Sequence, residues 1–509
     1  MSKIKIGWSE KELSFDKPVS LSGQFAERIS QYVEKPLTVT AFAVESDEDS
    51  MILCAFDLAS TSYALLKEIR SRVAAANKEI DVSKIVISAI HTHTGPGYKY
   101  CGQTRISNIY QSRKIAVPSM RALLEAELPE DRKYVEKVNV SGNKNIMKND
   151  ELLEIIVREA TAAIVEAWET RKAGSFSNAF GRAAVGMCRR ASYSDGTSQM
   201  WGDANRAVFT HLEGGNDSGI ELLYVFDDDN KLTGVVANLA CPAQCVQHRL
   251  FVSPDFWGEV KMLLRKHFGE NIFLLPLCSA AGDQCPVDLV RWVEPESDLN
   301  DPNIKRNNPP KRKADPSMFD IAGMKKAGKR IANEIIEVYN EGLDEAQSDI
   351  ELVHRVEEVK LPLRRATLAE EIAAKKEIRD YLQNKPGDVD YNDVANLQIH
   401  LGVLRRMEVQ EDFNVIPLEI HIIRLGSIAI ATNPFELFLD YGNQIKARSN
   451  AEQTFLIQLA NGCEGYLPTE KAEKGGHYSA FIASGCVGHE GGDLLVRETL
   501  KNINDMFKR

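Results

Sequence analysis

The apolar residues of this chain come in short runs of β-branched and aromatic side chains, broken by polar, glycine and proline positions. Runs at 37–44 and 51–56 predict two paired strands, joined by the acidic turn 45–50. Leu65, Leu66, Ile69 and Val73 then recur at helical spacing, with Ser60 or Thr61 as the cap. The next run, Ile85-Val86-Ile87-Ser88-Ala89-Ile90, predicts a buried strand. It breaks at His91-Thr92-His93-Thr94-Gly95-Pro96-Gly97. Strand, helix, strand in that order is the signature of an α/β chain.

The pattern continues in kind. Residues 97–134 form a long polar stretch, expected as an insertion. Residues 150–169 read as an amphipathic helix. Residues 185–193 read as a loop whose neighbouring arginines, Arg189 and Arg190, belong on solvated surface unless a site lies beside them. A hairpin is expected at 220–226 and 234–240, a helix at 255–267 and a strand at 271–277. Residues 294–316 are poor in apolar side chains, which predicts a solvated loop or a lid. A helix at 318–340, a strand at 350–363, a helical hairpin at 368–384 and 389–407, and a hairpin at 416–425 and 427–431 follow. A strand at 455–459 and a helix at 494–507 close the chain. The expected fold is α/β, with mixed sheets and flanking helices. Residues 1–345 would form the main region, and 346–509 a second α/β region that completes the same site.

Composition narrows the functional classes. The chain has 509 residues, 43% hydrophobic and 27% charged, with a net charge of -11. Nucleic acid would need a basic surface, so that partner is not expected. No apolar run reaches the ~18–20 residues of a spanning helix, and the N-terminus has no signal-type apolar segment. Nine scattered cysteines read as reduced thiols. The expectation is a cytoplasmic enzyme acting on a small molecule, with a homo-oligomer left open.

Chemistry-bearing residues gather where strands break into loops. His91 and His93 are two apart, so in extended chain both rings face one side. Other breaks carry Cys241 to His248, Asp283 and Cys285, Glu436, and Tyr466. A mixed set of imidazole, carboxylate, phenol and thiol suits zinc better than a hard cation.

These segments resemble a known family in order along the chain. His91-Thr92-His93-Thr94-Gly95-Pro96-Gly97 is similar to the T-H-T-H-S-G-P-G motif of the neutral/alkaline (non-lysosomal) ceramidases. Met187-Cys188-Arg189-Arg190 stands at the family's arginine loop, and Ser253-Pro254-Asp255 resembles its S-S-D segment. Gly282-Asp283-Gln284-Cys285-Pro286 resembles G-D-V-S-P. Asn433-Pro434-Phe435-Glu436 resembles P-G-E, and Gly465-Tyr466-Leu467-Pro468-Thr469 resembles G-Y-V-T-T. The resemblance spans roughly residues 35–500, the hydrolase domain, without the family's C-terminal immunoglobulin-like domain.

The resemblance implies one zinc ion held by two histidines, a glutamate and a tyrosine, and hydrolysis of an N-acyl amide. By position, His91, Glu436 and Tyr466 would be ligands. The second family histidine falls at Cys241 or Pro242, so Cys241 or the nearby His248 would take that corner. His93, Arg189, Asp283 and Cys285 would be catalytic, with His93 and Arg189 stabilising the oxyanion and Cys285 standing for the family's serine. Arg190, Gly95 and Gln284 would contact substrate. The expected activity is a zinc-dependent, bacterial-type amidase acting on a small polar molecule other than ceramide. A carbohydrate-active lyase or glycosidase using Asp283 and Glu436, or a non-catalytic binding protein, are the alternatives.

Overall fold

Three β–α–β units lay out the protein, and each sends the C-terminal ends of its strands toward one place. A computed structural model describes residues 2–24, 27–99, 104–136, 145–291 and 319–508. In the first unit, strands Ser50–Phe56 and Ile85–Ala89 run parallel, connected through helix Tyr63–Ala76. Ser62 Oγ accepts from the Leu65 N–H to start that helix, and Leu65, Leu66, Ile69 and Val73 form its buried face. In the second, strands Leu232–Leu239 and Phe273–Cys278 are parallel across helix Phe256–Phe268, which Asp255 caps. In the third, Ile428–Thr432 and Gln453–Ile457 are parallel across helix Leu439–Arg448.

The first two units belong to one eight-stranded mixed sheet. Its central strands, Lys5–Leu13 and Lys172–Arg182, are antiparallel to each other. The third unit belongs to a four-stranded sheet with Leu352–Pro362 and Val415–Leu425. The two sheets face each other across an apolar interior built from both. Trp8, Phe42, Leu53, Val225 and Leu275 meet Ile423, Ile428, Ile430 and Phe455 there. Helices cover the outer faces. Tyr63–Ala76 and Asn149–Glu169 pack on one half of the large sheet, and Phe256–Phe268 and Asp320–Glu341 on the other. Helix His489–Met506 packs on the small sheet. The order is therefore helices, sheet, sheet, helices.

Several differences from the sequence pattern have physical causes. Strand Lys5–Leu13 was hidden by its charges. Glu10 is half-buried because Lys261 and Arg265 reach it at 2.9 and 2.8 Å. The polar stretch 97–134 contains helices Arg105–Ser112 and Met120–Ala126, started by Thr104 and Ser119 caps. The segment 185–193 is not an exposed loop: it holds strands Met187–Cys188 and Arg190–Tyr193. Residues 294–316 lie outside the described residues.

Candidate functional site

The strand ends converge through backbone bonds between the two sheets. The Asn461 N–H donates to Ile87 O at 2.9 Å, and the Gln458 N–H to Cys278 O at 3.0 Å. The loop that follows Gln453–Ile457 is thereby sewn to the strand that ends at His91. Glu436 and Tyr466 are paired neighbours in two short parallel strands. Gly282 lets Glu436 approach, since a Cβ there would stand 2.3 Å from Glu436 O.

His91 has φ 64°, an unusual conformation for a residue with a side chain. Its Nδ1 lies 2.5 Å from Ala59 O, an acceptor only, so Nδ1 carries the proton and Nε2 faces inward. Anchoring of one ring nitrogen on a carbonyl is how metal-binding histidines are usually oriented. His91 Nε2 stands 3.4 Å from Glu436 Oε2 and 3.3 Å from His93 Nε2. Tyr466 donates its hydroxyl hydrogen to Glu436 and meets the Tyr478 hydroxyl, with ring centroids 5.4 Å apart. Arg189 donates from Nη2 to Tyr466 Oη at 3.3 Å and to Gly282 O at 3.0 Å, and from Nη1 to Gln244 Oε1 at 3.2 Å. His91, His93, Arg189 and Tyr466 are all buried.

Burial sets the electrostatics, and the charged neighbours decide its outcome. Burial, then His91, Arg28 and Arg189, hold His93 well below its ordinary value, so it is neutral. Burial alone would raise Glu436, but His91, Arg189 and the Tyr466 hydrogen bond bring it below the usual carboxylate range. Burial and Glu436 push the Tyr466 phenol well up.

The other predicted residues fall outside this cluster. Asp283 braces it: Oδ1 accepts from Leu439 N–H at 2.9 Å, and its carbonyl accepts from Arg189 N–H at 2.9 Å. Cys285 lies in a strand paired with Met187–Cys188, and its Sγ donates to Val287 O at 3.2 Å. Burial pushes that thiol up to about 12, far from a thiolate at neutral pH. Gln284 donates to Gly215 O at 3.2 Å, and the Gly95 carbonyl accepts from Ser22 N–H in a buried turn.

Arg190 departs from both of its expected places, surface and substrate. It is fully buried, bidentate with Glu213 at 2.8 and 2.9 Å, and donates to the carbonyls of Gly476 and Tyr478 and to Ser479 Oγ. Its N–H groups are spent on protein acceptors. Arg189, in the gap between the two short strands, turns to the site, and Arg190 to the strap that carries Tyr478. The disputed metal corner is also not filled as expected. The Cys241 thiol faces Pro242 O at 3.5 Å, and His248 lies against Phe319 with ring centroids 5.0 Å apart. Among the described residues, no group of three or more His, Cys, Asp and Glu is placed to hold a metal ion. The Tyr466 phenol is a further oxygen donor beside His91 and Glu436.

Three contributors had no sequence signal. Gln244 and Gln247 flank His93, at 2.9 Å from Nε2 and 3.1 Å from Nδ1. Tyr478 reaches the site from a strap where Gly476, His477 and Ser479 all have positive φ.

Two face-to-face sheets with outer helices define a neutral ceramidase-like fold. Two solved structures carry it. Neutral ceramidase from Pseudomonas aeruginosa superimposes with a TM-score of 0.65 at 14% identity, covering 99% of this chain and 74% of that one. A ceramidase complexed with C2 gives 0.63 at 13% identity, covering 99% and 75%. No protein-family model and no curated protein matches the chain. Among the described residues, no helix is long and apolar enough to cross a membrane.

Proposed function

We propose that this protein is a zinc-dependent hydrolase that cleaves an amide C–N bond in a small polar substrate. The convergence of His91 Nε2, Glu436 Oε2 and Tyr466 Oη beside Arg189 carries this reading. Two ligands on a tetrahedral zinc, each bonded at about 2.0–2.1 Å, stand about 3.3–3.4 Å apart. The His91–Glu436 separation of 3.4 Å matches that spacing. Catalytic zinc commonly has three protein ligands and an open position, so the loss of the family's second histidine leaves a workable N, O, O set.

When bound, zinc would polarise the scissile carbonyl and lower the pKa of its water toward neutrality. The chain's own groups do the rest. Ala59 holds the His91 ring in its tautomer. His91 and Arg189 keep Glu436 ionised. Arg189 also has a buried Nε–H with no acceptor among the described residues, a donor available to a carbonyl oxygen that gains charge. The enclosed, polar wall of Arg189, Gln244 and Gln247 favours a small substrate over a long acyl chain. Asp283 is committed to Leu439, which disfavours a paired-carboxylate glycosidase.

The test is metal analysis by mass spectrometry with a screen of N-acyl amides, esters and glycosides, with and without chelator. The reading expects stoichiometric zinc and an amidase activity lost on chelation. Absence of zinc, or glycoside cleavage indifferent to chelator, would overturn it.

A further inference from the structure

We infer that Gln244 is a positioning residue that fixes the tautomer of His93, aiming its bare Nε2 at His91 Nε2. The chain of contacts starts at Arg189, whose guanidinium can only donate. Arg189 Nη1 lies 3.2 Å from the Gln244 side-chain oxygen, which settles the amide's orientation. The Gln244 NH2 group therefore faces His93 Nε2, at 2.9 Å. A donor facing Nε2 requires a lone pair there. The ring hydrogen must then sit on Nδ1, which meets Gln247 Oε1 at 3.1 Å. Gln247 Oε1 also accepts from Gln24 Nε2 at 3.0 Å, so its oxygen is the atom turned toward the ring. Each link agrees with the next.

The consequence concerns what His93 can do. Its Nε2 has no hydrogen to offer, so it cannot stabilise an oxyanion from that atom, whereas Arg189 Nε–H can. His91 Nε2 stands 3.3 Å away and faces that lone pair. Gln244 thus turns a lone pair of His93 toward the His91–Glu436 corner, a contact a cation there would satisfy. The role of His93 as an acceptor during hydrolysis rests on the reading proposed above; the tautomer does not.

The test is magic-angle-spinning carbon–nitrogen correlation on protein labelled with 13C and 15N at histidine. His93→Gln assigns the ring by loss of its signals. The expected wild-type spectrum has a protonated Nδ1 and an unprotonated Nε2 for His93. In Gln244→Glu the carboxylate accepts from Arg189 and can only accept from the ring, so the His93 Nε2 signal should shift to the protonated position. Gln244→Met, which cannot donate, serves if the glutamate variant does not fold; it should broaden or split the Nε2 signal. A protonated Nε2 in the wild type, or variant spectra identical to wild type, would overturn the inference. Zinc is measured on the same samples. Bare Nε2 without zinc would uphold the tautomer while removing the hydrolase reading.

Discussion

Replacing Glu464 with glutamine should flatten the stability of this protein between mildly acidic and neutral pH. Glu464 sits two residues before Tyr466 and is 2% exposed. Its Oε1 accepts from the Arg105 N–H at 2.7 Å, at the start of helix Arg105–Ser112, while Oε2 is buried with no partner among the described residues. Burial pushes the carboxyl from 4.5 up to about 7, against the smaller pull of Arg105. A raised acid favours folding while protonated. That contribution is whole below pH 4.5 and is lost as pH rises through about 7. At about 1.36 kcal/mol per pH unit, the shift amounts to about 3 kcal/mol. Glutamine keeps the neutral shape at all pH values. Urea unfolding at pH 4.5 and pH 8 should therefore show Glu464→Gln close to wild type at the lower pH, and more stable by up to about 3 kcal/mol at the higher. An equal difference between the two proteins at both pH values would refute the reasoning.

Other consequences are equally direct. Arg190→Met leaves Glu213 buried and unpaired, and should lower stability by about 3–5 kcal/mol in thermal or urea unfolding; a neutral result would mean that the pair does not hold the strap. Gly282→Ala puts a Cβ 2.3 Å from Glu436 O and should displace that carboxylate, seen as weakened zinc binding in a chelator competition. Cys285→Ser should keep most of the activity, because a thiol held near 12 is a poor nucleophile; a loss of a hundredfold or more would return Cys285 to the chemistry. Glu436→Ala should abolish metal binding and activity while the circular dichroism spectrum stays unchanged.

The parts of the fold built from continuous apolar runs were legible from residue order. Strands Ile85–Ala89, Ile428–Thr432 and Gln453–Ile457, which precede His91, Glu436 and Tyr466 along the chain, are buried almost throughout, so their apolar composition is continuous and their ends conspicuous. What stayed hidden was compensated in three dimensions. Lys5–Leu13 reads as charged because Lys261 and Arg265, far along the chain, neutralise Glu10. Arg189 and Arg190 read as surface because nothing local shows that Glu213, Gln244 and Tyr466 surround them. Gln244 carries no chemical signature at all. Its importance comes from standing between a residue that can only donate and a ring that can do either. Cys241 and His248 were candidates because the resemblance places the family's second histidine at Cys241 or Pro242, yet the Cys241 thiol faces the Pro242 carbonyl and His248 packs on Phe319.

The central claim is that one ion is gripped by an imidazole, a carboxylate and a phenol from distant parts of the chain. Anomalous diffraction collected above and below the zinc absorption edge on crystals of the purified protein tests it most directly. The account predicts a single strong peak within bonding distance of His91 Nε2, Glu436 Oε2 and Tyr466 Oη, absent in Glu436→Ala. A map with no peak there, or a peak that persists without Glu436, would contradict it.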